Sequence, residues 1–382
     1  MKRYSGSWLG ESPHIVVLGS RKLGNFIATL PLLHSLRRKY PAAKIDFWGS
    51  EVTKDFEEEL VSNSPKAKRP IDWRMSLDCD TISQELSDYI RTKGRPTLLI
   101  NCDGFNPVTA VIAGLLSPEW VVGNAMTKDL KGVVETGEHT YNKILDDKEW
   151  DSEKFLVKYE GHFKTQYIGE LFCRMAFLDS IEDQINNIGL PTRHPLFKVP
   201  DILIHCTSTR SAKLWGKDNW CLLLDWCRDH KLSVGLVGAK PQLQKDEYNS
   251  DGCEDSLVDL YGKGENKTLF DLRGETNLIE LAGACKEARA VITVDAGPLH
   301  VAVAVGTPVL AVVGNDKEGI GASPIRLWMP QKRNLFRTIS DFHCRECMDN
   351  KYKNNGCLLD EHFCMKGVSS EQVIKWLRGV IE

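Results

Sequence analysis

The stretch that most constrains the fold is residues 291–314, which read VITVDAGPLHVAVAVGTPVLAVVG. Two valine-rich runs flank a polar turn and a segment of small residues, as expected for two buried strands of a parallel sheet joined by a helix. Asp295 stands where the first strand ends, and Gly297 allows a ligand to approach the backbone. Pro298 suits the first turn of a helix, where its missing N–H costs little, and His300 follows in that turn. The pattern predicts a strand-turn-helix whose polar residues lie at the carboxyl end of the sheet.

The same alternation of strand and helix patterns runs through two blocks of the chain. It begins at HIVVLGS (residues 14–20), and it restarts at DILIHCTST (residues 201–209). Between them, GLPTRHPLFKVP contains three prolines and neither pattern, which is typical of a linker. The sequence therefore predicts an α/β protein with two parallel-sheet domains in tandem, with a ligand cleft between them. The predicted boundaries are residues 1–190 for the first domain, 191–200 for the linker, 201–368 for the second domain with a cysteine-rich loop at 343–364, and 369–382 for a C-terminal helix. A further long helix is predicted over residues 161–180.

Size and charge limit the functional classes. The chain has 382 residues, which suits two domains, and its net charge of −3 argues against a general nucleic-acid partner. It contains no apolar run long enough for a membrane-spanning helix, and its first residues lack the apolar core of a secretory signal. We therefore expect a cytoplasmic protein whose twelve cysteines are reduced thiols or metal ligands.

Several motifs together resemble glycosyltransferase family 9, the ADP-heptose:lipopolysaccharide heptosyltransferases. DAGPLHVAVAVGTPVLAVVG resembles the signature of the family, and HCTSTRSAKLWGKDNW resembles its donor-phosphate motif. HIVVLGSRKLGNFIATLPLLHSLRRKYPAAKIDFWGS, LLINCDGFNPVTAVIAGLL and CMKGVSSEQV are similar to other landmarks of the family. The resemblance implies a GT-B fold, in which two Rossmann-like domains face a cleft. It also implies metal-independent, inverting transfer of a heptose or a related sugar from an ADP-sugar donor to a hydroxyl acceptor.

The acceptor stays open at this point. The lipopolysaccharide core, another surface glycan or a small metabolite would each supply a hydroxyl group. The basic run RRK at residues 37–39 favours contact with a membrane surface in one interpretation, and is simply solvated in the other.

The loop that begins the second domain contains the candidate phosphate ligands. Hydroxyl groups and an ammonium group form a suitable clamp for a diphosphate, because a diphosphate leaving group gains negative charge. The resemblance assigns this role to Ser208, Thr209 and Lys213, with Arg210 as a second cation. The alternative is a solvated basic loop.

The signature motif contains the remaining candidate donor ligands. The resemblance implies that Asp295 and the backbone of Ala296 and Gly297 contact the sugar and the phosphates, and that His300 lies beside the phosphates. The alternative for a lone histidine on an apolar helix is a purely structural role. The position at which the family often has a ribose-binding glutamate is Lys240, and neither Asp246 nor Glu247 is selected in its place.

The first domain departs from the family at the general base. The family usually reads LGD, and the chain has Asn25 at the position of that aspartate; an amide is a poor proton acceptor. Asp103 is the best candidate for a replacement base, and a strand-end aspartate that caps the next turn is its alternative interpretation. An acidic acceptor or a reactive donor would instead need little help from a base. The glycine-rich turn before the first long helix suits contact with the acceptor or a phosphate, through the residues Arg21, Lys22 and Gly24. It lacks the Lys-Ser/Thr of an ATP-binding P-loop, which excludes that class.

Asn25 also motivates a rival hypothesis, a nucleotide-sugar-binding protein of the same fold with weak transferase activity. A nucleotide-sugar epimerase of the same fold is a third and weaker hypothesis.

Four of the cysteines are concentrated in CRECMDNKYKNNGCLLDEHFC. Cys344 and Cys347 form a C-x-x-C pair, and Cys357 and Cys364 follow in an irregular segment. Four thiolates suit a structural zinc or iron ion, with His343 and His362 as spare ligands. The alternative is reduced thiols, or disulfides that form on purification. No catalytic metal is expected.

Overall fold

The structure is a computed structural model, and each of its two compact units is an α/β layer structure. The first unit is Met1–Gly189 and the second is Leu190–Glu382. The structure describes residues 1–61, 69–78, 82–104, 106–147, 153–165, 167–179, 181–265, 267–314, 327–328, 332–342, 344–350 and 353–382.

Within the described part of the first unit, six strands form one parallel sheet in the order β1-β6-β5-β2-β3-β4. The strands are β1 (Lys2–Arg3), β2 (His14–Leu18), β3 (Lys44–Gly49), β4 (Trp73–Ser76), β5 (Leu98–Asn101) and β6 (Trp120–Val122). The helices are α1 (Leu23–Lys39), α2 (Lys54–Leu60), α3 (Ile82–Lys93), α4 (Pro107–Leu116), α5 (Thr140–Asp146), α6 (Glu153–Lys158), α7 (Ile168–Met175) and α8 (Glu182–Asn186). The strand order reverses between β2 and β5, which is where ligands bind in sheets of this kind.

The described part of the second unit repeats this plan, with six parallel strands in the order β12-β11-β10-β7-β8-β9. The strands are β7 (Ile202–His205), β8 (Val234–Leu236), β9 (Leu269–Asp271), β10 (Ala290–Val294), β11 (Val309–Gly314) and β12 (Leu335–Ile339). The helices are α9 (Lys217–Asp229), α10 (Pro241–Glu247), α11 (Cys253–Tyr261), α12 (Leu278–Glu287), α13 (Gly297–Val305), α14 (Glu346–Asp349), α15 (Phe363–Lys366) and α16 (Ser370–Ile381). Here the reversal lies between β7 and β10.

The signature motif folds as its residue types predict. β10 is buried throughout, and α13 has Pro298 in its first turn. Gly306 ends α13 in the left-handed conformation, with φ of 88°, which glycine adopts without the strain that a Cβ atom would cause. This turn leads the chain directly into β11. The motif therefore places the N-terminus of α13 at the carboxyl end of the sheet.

The core of the second unit is apolar and contains large aromatic rings. Trp215 and Trp220 are buried and pack edge to face, with their ring centroids 4.7 Å apart. The buried face of α16 packs in the same core through Val373 and Leu377. A capping box at Ser369 satisfies the first amide groups of α16. The C-terminal helix therefore packs as part of the second unit.

The predicted helix over residues 161–180 is wrong. Among the described residues of this segment the only helix is α7 (Ile168–Met175), and Gly161 has a φ of 81°, which a right-handed helix does not allow. The side chain of Glu170 accepts hydrogen bonds from the backbone N–H groups of Lys164 and Thr165. These bonds stabilise a loop where the apolar spacing alone favours a helix.

Side chains of the basic run at residues 37–39 form hydrogen bonds with other residues of the first unit. Arg37 donates hydrogen bonds to the Ala43 carbonyl at 2.7 Å and to the Asp72 carboxylate at 2.5 Å. Lys39 donates to the Phe177 carbonyl at 3.1 Å. These contacts hold two of the three cations against their own domain, so the run does not support a membrane-facing patch. Among the described residues, no helix combines the length and the apolar character needed to cross a membrane.

A buried polar chain runs through the second unit from Thr207 to Arg273. Thr207 donates to Gln244, whose amide donates to the Glu254 carboxylate at 2.8 Å, and Arg273 approaches the same carboxylate oxygen at 3.4 Å. Glu254 is only 2% exposed. Burial raises its pKa to about 7, although the nearby Arg273 charge opposes the shift. The carboxyl group is thus half protonated in the folded protein near neutral pH.

We predict that Glu254 makes the protein less stable as the pH rises. The folded state binds more protons than the unfolded state between the ordinary glutamate pKa of 4.5 and about 7, so the free energy of unfolding falls across this range. Replacing Glu254 with Gln should remove about 1–3 kcal/mol of this pH dependence and stabilise the protein above pH 7. Urea unfolding between pH 4.5 and 8 measures the effect. Glu247→Gln, at an exposed position on α10, is the control, and an unchanged slope in Glu254→Gln would contradict the prediction.

Candidate functional site

The candidate site in the second unit is built by the pairing of β7 with β10. Their register aligns His205 with Thr293, so the two strands end side by side. The chain that leaves β7 forms residues 207–213, and the chain that leaves β10 forms Asp295 and α13. Parallel pairing at the strand reversal therefore brings the two sequence motifs to one edge of the sheet.

An ion pair joins the two motifs. The Nζ atom of Lys213 lies 2.5 Å from the Oδ2 atom of Asp295. Ser208 donates a long hydrogen bond of 3.4 Å to the Asp295 main-chain carbonyl. Burial would raise the pKa of Asp295, but Lys213, with smaller contributions from His300 and Arg210, holds this pKa below its ordinary value. Asp295 is therefore ionised and oriented by Lys213.

The first turn of α13 offers donor groups without a side-chain cap. Ala296 is the N-cap and supplies no side-chain acceptor, and Pro298 follows in the first turn. The N-terminus of this nine-residue helix carries a partial positive charge, which favours an anion. Pro298 has no N–H and the Leu299 N–H donates to the Ala296 carbonyl, so the motif presents the Gly297 N–H near Asp295.

His300 is a buried histidine with an unused polar atom. It is 8% exposed, and its Nδ1 atom has no hydrogen-bond partner among the described residues. Burial lowers its pKa to about 4, against the opposing effect of the Asp295 charge. The imidazole is thus neutral at pH 7 and retains one N–H donor. A buried polar atom without a partner marks a site that a ligand can complete.

Two asparagines hold the 208–213 loop, and sequence reasoning missed both. Asn249 pairs with Ser208 through two backbone hydrogen bonds, and its side chain donates to the Thr209 carbonyl at 3.1 Å. Asn354 accepts two hydrogen bonds from Arg210, one on its main-chain oxygen at 2.6 Å and one on its side-chain oxygen at 3.1 Å. Lone asparagines in irregular segments have no periodicity or motif that would have identified them.

The structure therefore brings together most of the candidate ligands of the second unit. Ser208 and Lys213 each contact Asp295, and Arg210 lies close enough to lower the pKa of Asp295. Thr209 is exposed at the outer side of the loop. Two cations, one carboxylate and an uncapped helix N-terminus are a donor set that can hold a diphosphate.

No ribose ligand emerges near Lys240. Lys240 is the N-cap of α10. Its side chain packs closely on Gly274, since a Cβ atom at Gly274 would lie only 2.5 Å from it. Asp246 accepts hydrogen bonds from Gln242 on the same helix, and Glu247 is exposed. The choice between these two acids, open in the sequence, stays open.

The first unit places the second group of candidates at its own strand reversal. Leu18 pairs with Asn101, so the loops after β2 and β5 begin side by side. Lys22 is the N-cap of α1 without a side-chain cap, and Gly24 is buried inside the first turn of α1 rather than in the turn before it. Asn25 donates a hydrogen bond of 2.9 Å to the Ser20 hydroxyl.

Arg21 pairs with an acid at the rim of a pocket. Its Nε atom lies 2.6 Å from the Oδ1 atom of Asp78. Asp78 lines an open pocket of about 700 Å³ in the first unit, together with carboxylates and with the rings of Trp73 and Tyr89. The pocket thus offers hydrogen-bond acceptors and aromatic faces.

Asp103 is a partly buried carboxylate at the end of β5. Burial raises its pKa above the ordinary value, while a hydrogen bond from Asn106 and the Lys22 charge oppose the shift. The N-cap of α4 is Asn106, whose side chain accepts from the Val108 N–H. The capping function predicted as the alternative for Asp103 thus belongs to Asn106, and Asp103 accepts a side-chain hydrogen bond from that residue at 3.2 Å.

In the cysteine-rich segment, three thiols lie close enough to Cys364 to affect its pKa. Burial, followed by the neighbouring Cys344, Cys347 and Cys357, raises the pKa of Cys364 to about 11. Among the described residues, no three His, Cys, Asp or Glu side chains are arranged as a ready metal site. His343 lies outside the described residues, and His362 forms a hydrogen bond with the Ala212 backbone.

Comparison with known sequences gives a family match over part of the chain. The model of the family "Glycosyltransferase family 9 (heptosyltransferase)" matches residues 178–354, which include both loops of the candidate site. The resemblance found in the motifs is thus confirmed. A comparison with curated proteins finds no matching sequence.

Solved structures show the fold of the whole chain. A family 9 glycosyltransferase from Veillonella parvula DSM 2008 has 16% identity and a TM-score of 0.64, and the match covers 98% of this chain and 99% of that one. The ADP-heptose lps heptosyltransferase II of E. coli has 15% identity and a TM-score of 0.64, with 96% and 98% covered. TibC of enterotoxigenic E. coli H10407, described as an iron-containing dodecameric glycosyltransferase, has 12% identity and a TM-score of 0.57, with 100% and 80% covered. The predicted GT-B fold is confirmed.

Proposed function

Because residues 178–354 belong to glycosyltransferase family 9, we propose that this heptosyltransferase-like glycosyltransferase uses an ADP-sugar donor. It transfers a heptose or a related sugar to a hydroxyl acceptor, with inversion at the anomeric carbon. The observation that carries the proposal is the contact of Lys213 with Asp295 beside the uncapped N-terminus of α13. The structurally similar heptosyltransferase II, named for ADP-heptose, supports the choice of donor.

The donor's diphosphate is held where its negative charge increases during transfer. As the glycosidic bond breaks, the β-phosphate gains charge, and cations with backbone N–H groups stabilise that charge. Lys213 and Arg210 supply the cations, and the Gly297 N–H at the start of α13 supplies a backbone donor. The neutral His300 donates its N–H to a phosphate oxygen and adds no positive charge. These residues provide the charge stabilisation that an inverting transfer needs at the leaving group.

Asp295 has two functions in this arrangement. Its carboxylate orients Lys213 and accepts hydrogen bonds from hydroxyl groups of the donor sugar. Because Lys213 keeps the pKa of Asp295 low, the carboxylate remains an acceptor at all physiological pH values.

The acceptor hydroxyl needs a proton acceptor, and we assign this role to Asp103. Its raised pKa makes it a stronger base than an exposed aspartate. Asn25 carries no charge, and its amide is already engaged with Ser20. The proposed base thus lies one strand away from the usual position.

We infer that the acceptor is rich in hydroxyl groups and is modified in the cytoplasm. The carboxylates and aromatic rings of the pocket beside Arg21 are suited to a glycan or a small polyhydroxylated molecule. The lipopolysaccharide core belongs to this class, as do other surface glycans.

Nucleotide binding is the experiment that tests the donor assignment. We expect calorimetry to show selective binding of ADP over UDP and GDP. Lys213→Met should weaken ADP binding about 10- to 100-fold, because it removes a charged contact to phosphate and retains the aliphatic stem. Lys217→Met, at an exposed lysine that begins α9, is the matched control. Binding that favours UDP or GDP would overturn the ADP-sugar donor, and equal affinities of the two variants would overturn the phosphate clamp.

The rival function, nucleotide-sugar binding with weak transfer, is favoured by Asn25. It is distinguished by the rate of sugar transfer in variants of the first unit. If Asp103 is the base, Asp103→Asn should lower kcat about 100-fold or more and leave donor affinity unchanged. The wild-type rate should rise with pH as Asp103 loses its proton, at a pH above the ordinary aspartate range, and this dependence should disappear in the variant.

Asn25→Asp is the companion variant for this test. A large gain in kcat from Asn25→Asp, combined with little effect of Asp103→Asn, would support the weakly active binding protein instead.

We also propose that the cysteine-rich segment holds a structural zinc or iron ion. Thiols are the donor type that soft metal ions prefer, and Cys364 lies close enough to the other three cysteines for them to raise its pKa; the name of the structurally similar TibC records iron. When bound, such an ion would order the segment that contacts the 208–213 loop. Cys344, Cys347, Cys357 and Cys364 would hold it.

Metal analysis of the purified protein tests this proposal. About one equivalent of zinc or iron is expected, and Cys347→Ser should lose most of it. Cys221→Ser, at a half-buried cysteine of α9, should retain it. Wild-type protein without metal, after expression with both metals supplied, would contradict the proposal.

A further inference from the structure

We propose that Asn354 is a positioning residue for Arg210 and, through it, for the phosphates of the donor. The inference rests on the proposed function, since it assumes that Arg210 contacts a nucleoside diphosphate. Asn354 itself lies 144 positions along the chain from Arg210, in the cysteine-rich segment.

Asn354 accepts two hydrogen bonds from the guanidinium group of Arg210. The Nε atom of Arg210 donates to the main-chain oxygen of Asn354 at 2.6 Å, and Nη2 donates to its Oδ1 atom at 3.1 Å. Two hydrogen bonds from different nitrogens fix the plane of the guanidinium group as well as its position. The same group lies near enough to Asp295 to lower the pKa of that carboxyl. Asn354 therefore fixes the position of Arg210, the second cation of the proposed phosphate site, near Asp295.

The orientation of the Asn354 amide is itself determined. Its Nδ2 atom donates to the Gly356 carbonyl at 2.7 Å and contacts the Cys347 sulfur at 3.2 Å. A flipped amide would bring Oδ1 against the Gly356 carbonyl, which is also an acceptor, and would turn a donor towards the donors of Arg210. The side chain is 7% exposed, so water does not replace these bonds freely. One orientation is left, and it presents an acceptor to Arg210.

Preorganisation explains what the contact between Asn354 and Arg210 contributes to donor binding. A free arginine side chain loses rotamer freedom when it binds a phosphate, and this loss weakens binding. Because Asn354 already holds Arg210, the loss is taken during folding rather than during donor binding. Donor affinity then depends on a residue that does not touch the donor.

The segment also holds the backbone of the loop, and this second contact supplies a control. The Ala212 N–H donates to the main-chain oxygen of Asn355 at 2.9 Å. The side chain of Asn355 is exposed and contacts Asn249 rather than Arg210. Asn355→Ala therefore retains the backbone contact and leaves the two hydrogen bonds between Arg210 and Asn354 intact.

A double-mutant cycle with calorimetric ADP binding tests the proposal. We expect Asn354→Ala to weaken ADP binding about 10-fold and Arg210→Ala to weaken it at least as much. The double variant should bind no more weakly than Arg210→Ala alone, because Asn354 acts only through Arg210. Asn355→Ala should match the wild type. A general loss of structure would instead give independent losses that multiply in the double variant.

A measurement on the wild-type protein covers the case in which Asn354→Ala does not fold. In arginine-labelled protein, the Nε–H signal that disappears in Arg210→Ala should exchange with water much more slowly than that of Arg91, which is 76% exposed. It should also shift when ADP is added. Fast exchange, or no shift with ADP bound, would overturn the proposal.

The outcomes separate this inference from the proposed function. A wild type that binds no nucleoside diphosphate overturns the donor assignment, and the positioning role with it. A wild type that binds ADP together with an unchanged Asn354→Ala, or with multiplying losses in the double variant, overturns the positioning role alone.

Discussion

The arrangement of the candidate site depends on the pairing of β7 with β10 at the point where the strand order of the second unit reverses. The register of Thr293 with His205 makes two loops that are 88 residues apart in sequence start side by side. Lys213 and Asp295 can then form an ion pair across the edge of the sheet. The attraction of Lys213 offsets the free energy lost when the Asp295 carboxylate is partly removed from water. Without a partner, the carboxylate would instead take up a proton because its pKa would rise. The same contact leaves Asp295 ionised and Lys213 fixed where an anion would bind.

The loop after β7 has little regular structure of its own. Its only turn of helix is the short Ser211–Lys213 segment, so its shape comes from partners distant in sequence. Asn249 supports one side, while Asn354 and Asn355 support the other. The loop and the cysteine-rich segment are therefore one structural element, and whatever orders that segment also orders the cations of the site. This dependence gives a structural ion in the segment a route to donor affinity without contact with the donor.

The sequence predicted those features that local patterns determine. Strands β10 and β11 and helix α13 follow from apolar runs, a proline at the helix start and Gly306 at its end. The neighbouring positions of Ser208, Lys213 and Asp295 follow from parallel topology once two strands are recognised. The helix predicted over residues 161–180 was wrong because Glu170 bonds to backbone amides and stabilises a loop, an effect invisible to periodicity. Asn354 could not be found either, since its role depends on contacts with Arg210 and Gly356 that no spacing encodes.

The first unit maintains the local contact of the loop after β2 without an acid at position 25. Asn25 retains the polar contact to Ser20, so the fold of the loop after β2 does not require a carboxylate there. Burial raises the pKa of Asp103, while a hydrogen bond from Asn106 and the Lys22 charge limit the rise. A second carboxylate close to Asp103 would raise this pKa further by like-charge repulsion and make two groups share the titration. With an amide at position 25, a single aspartate can determine the pH dependence of proton removal.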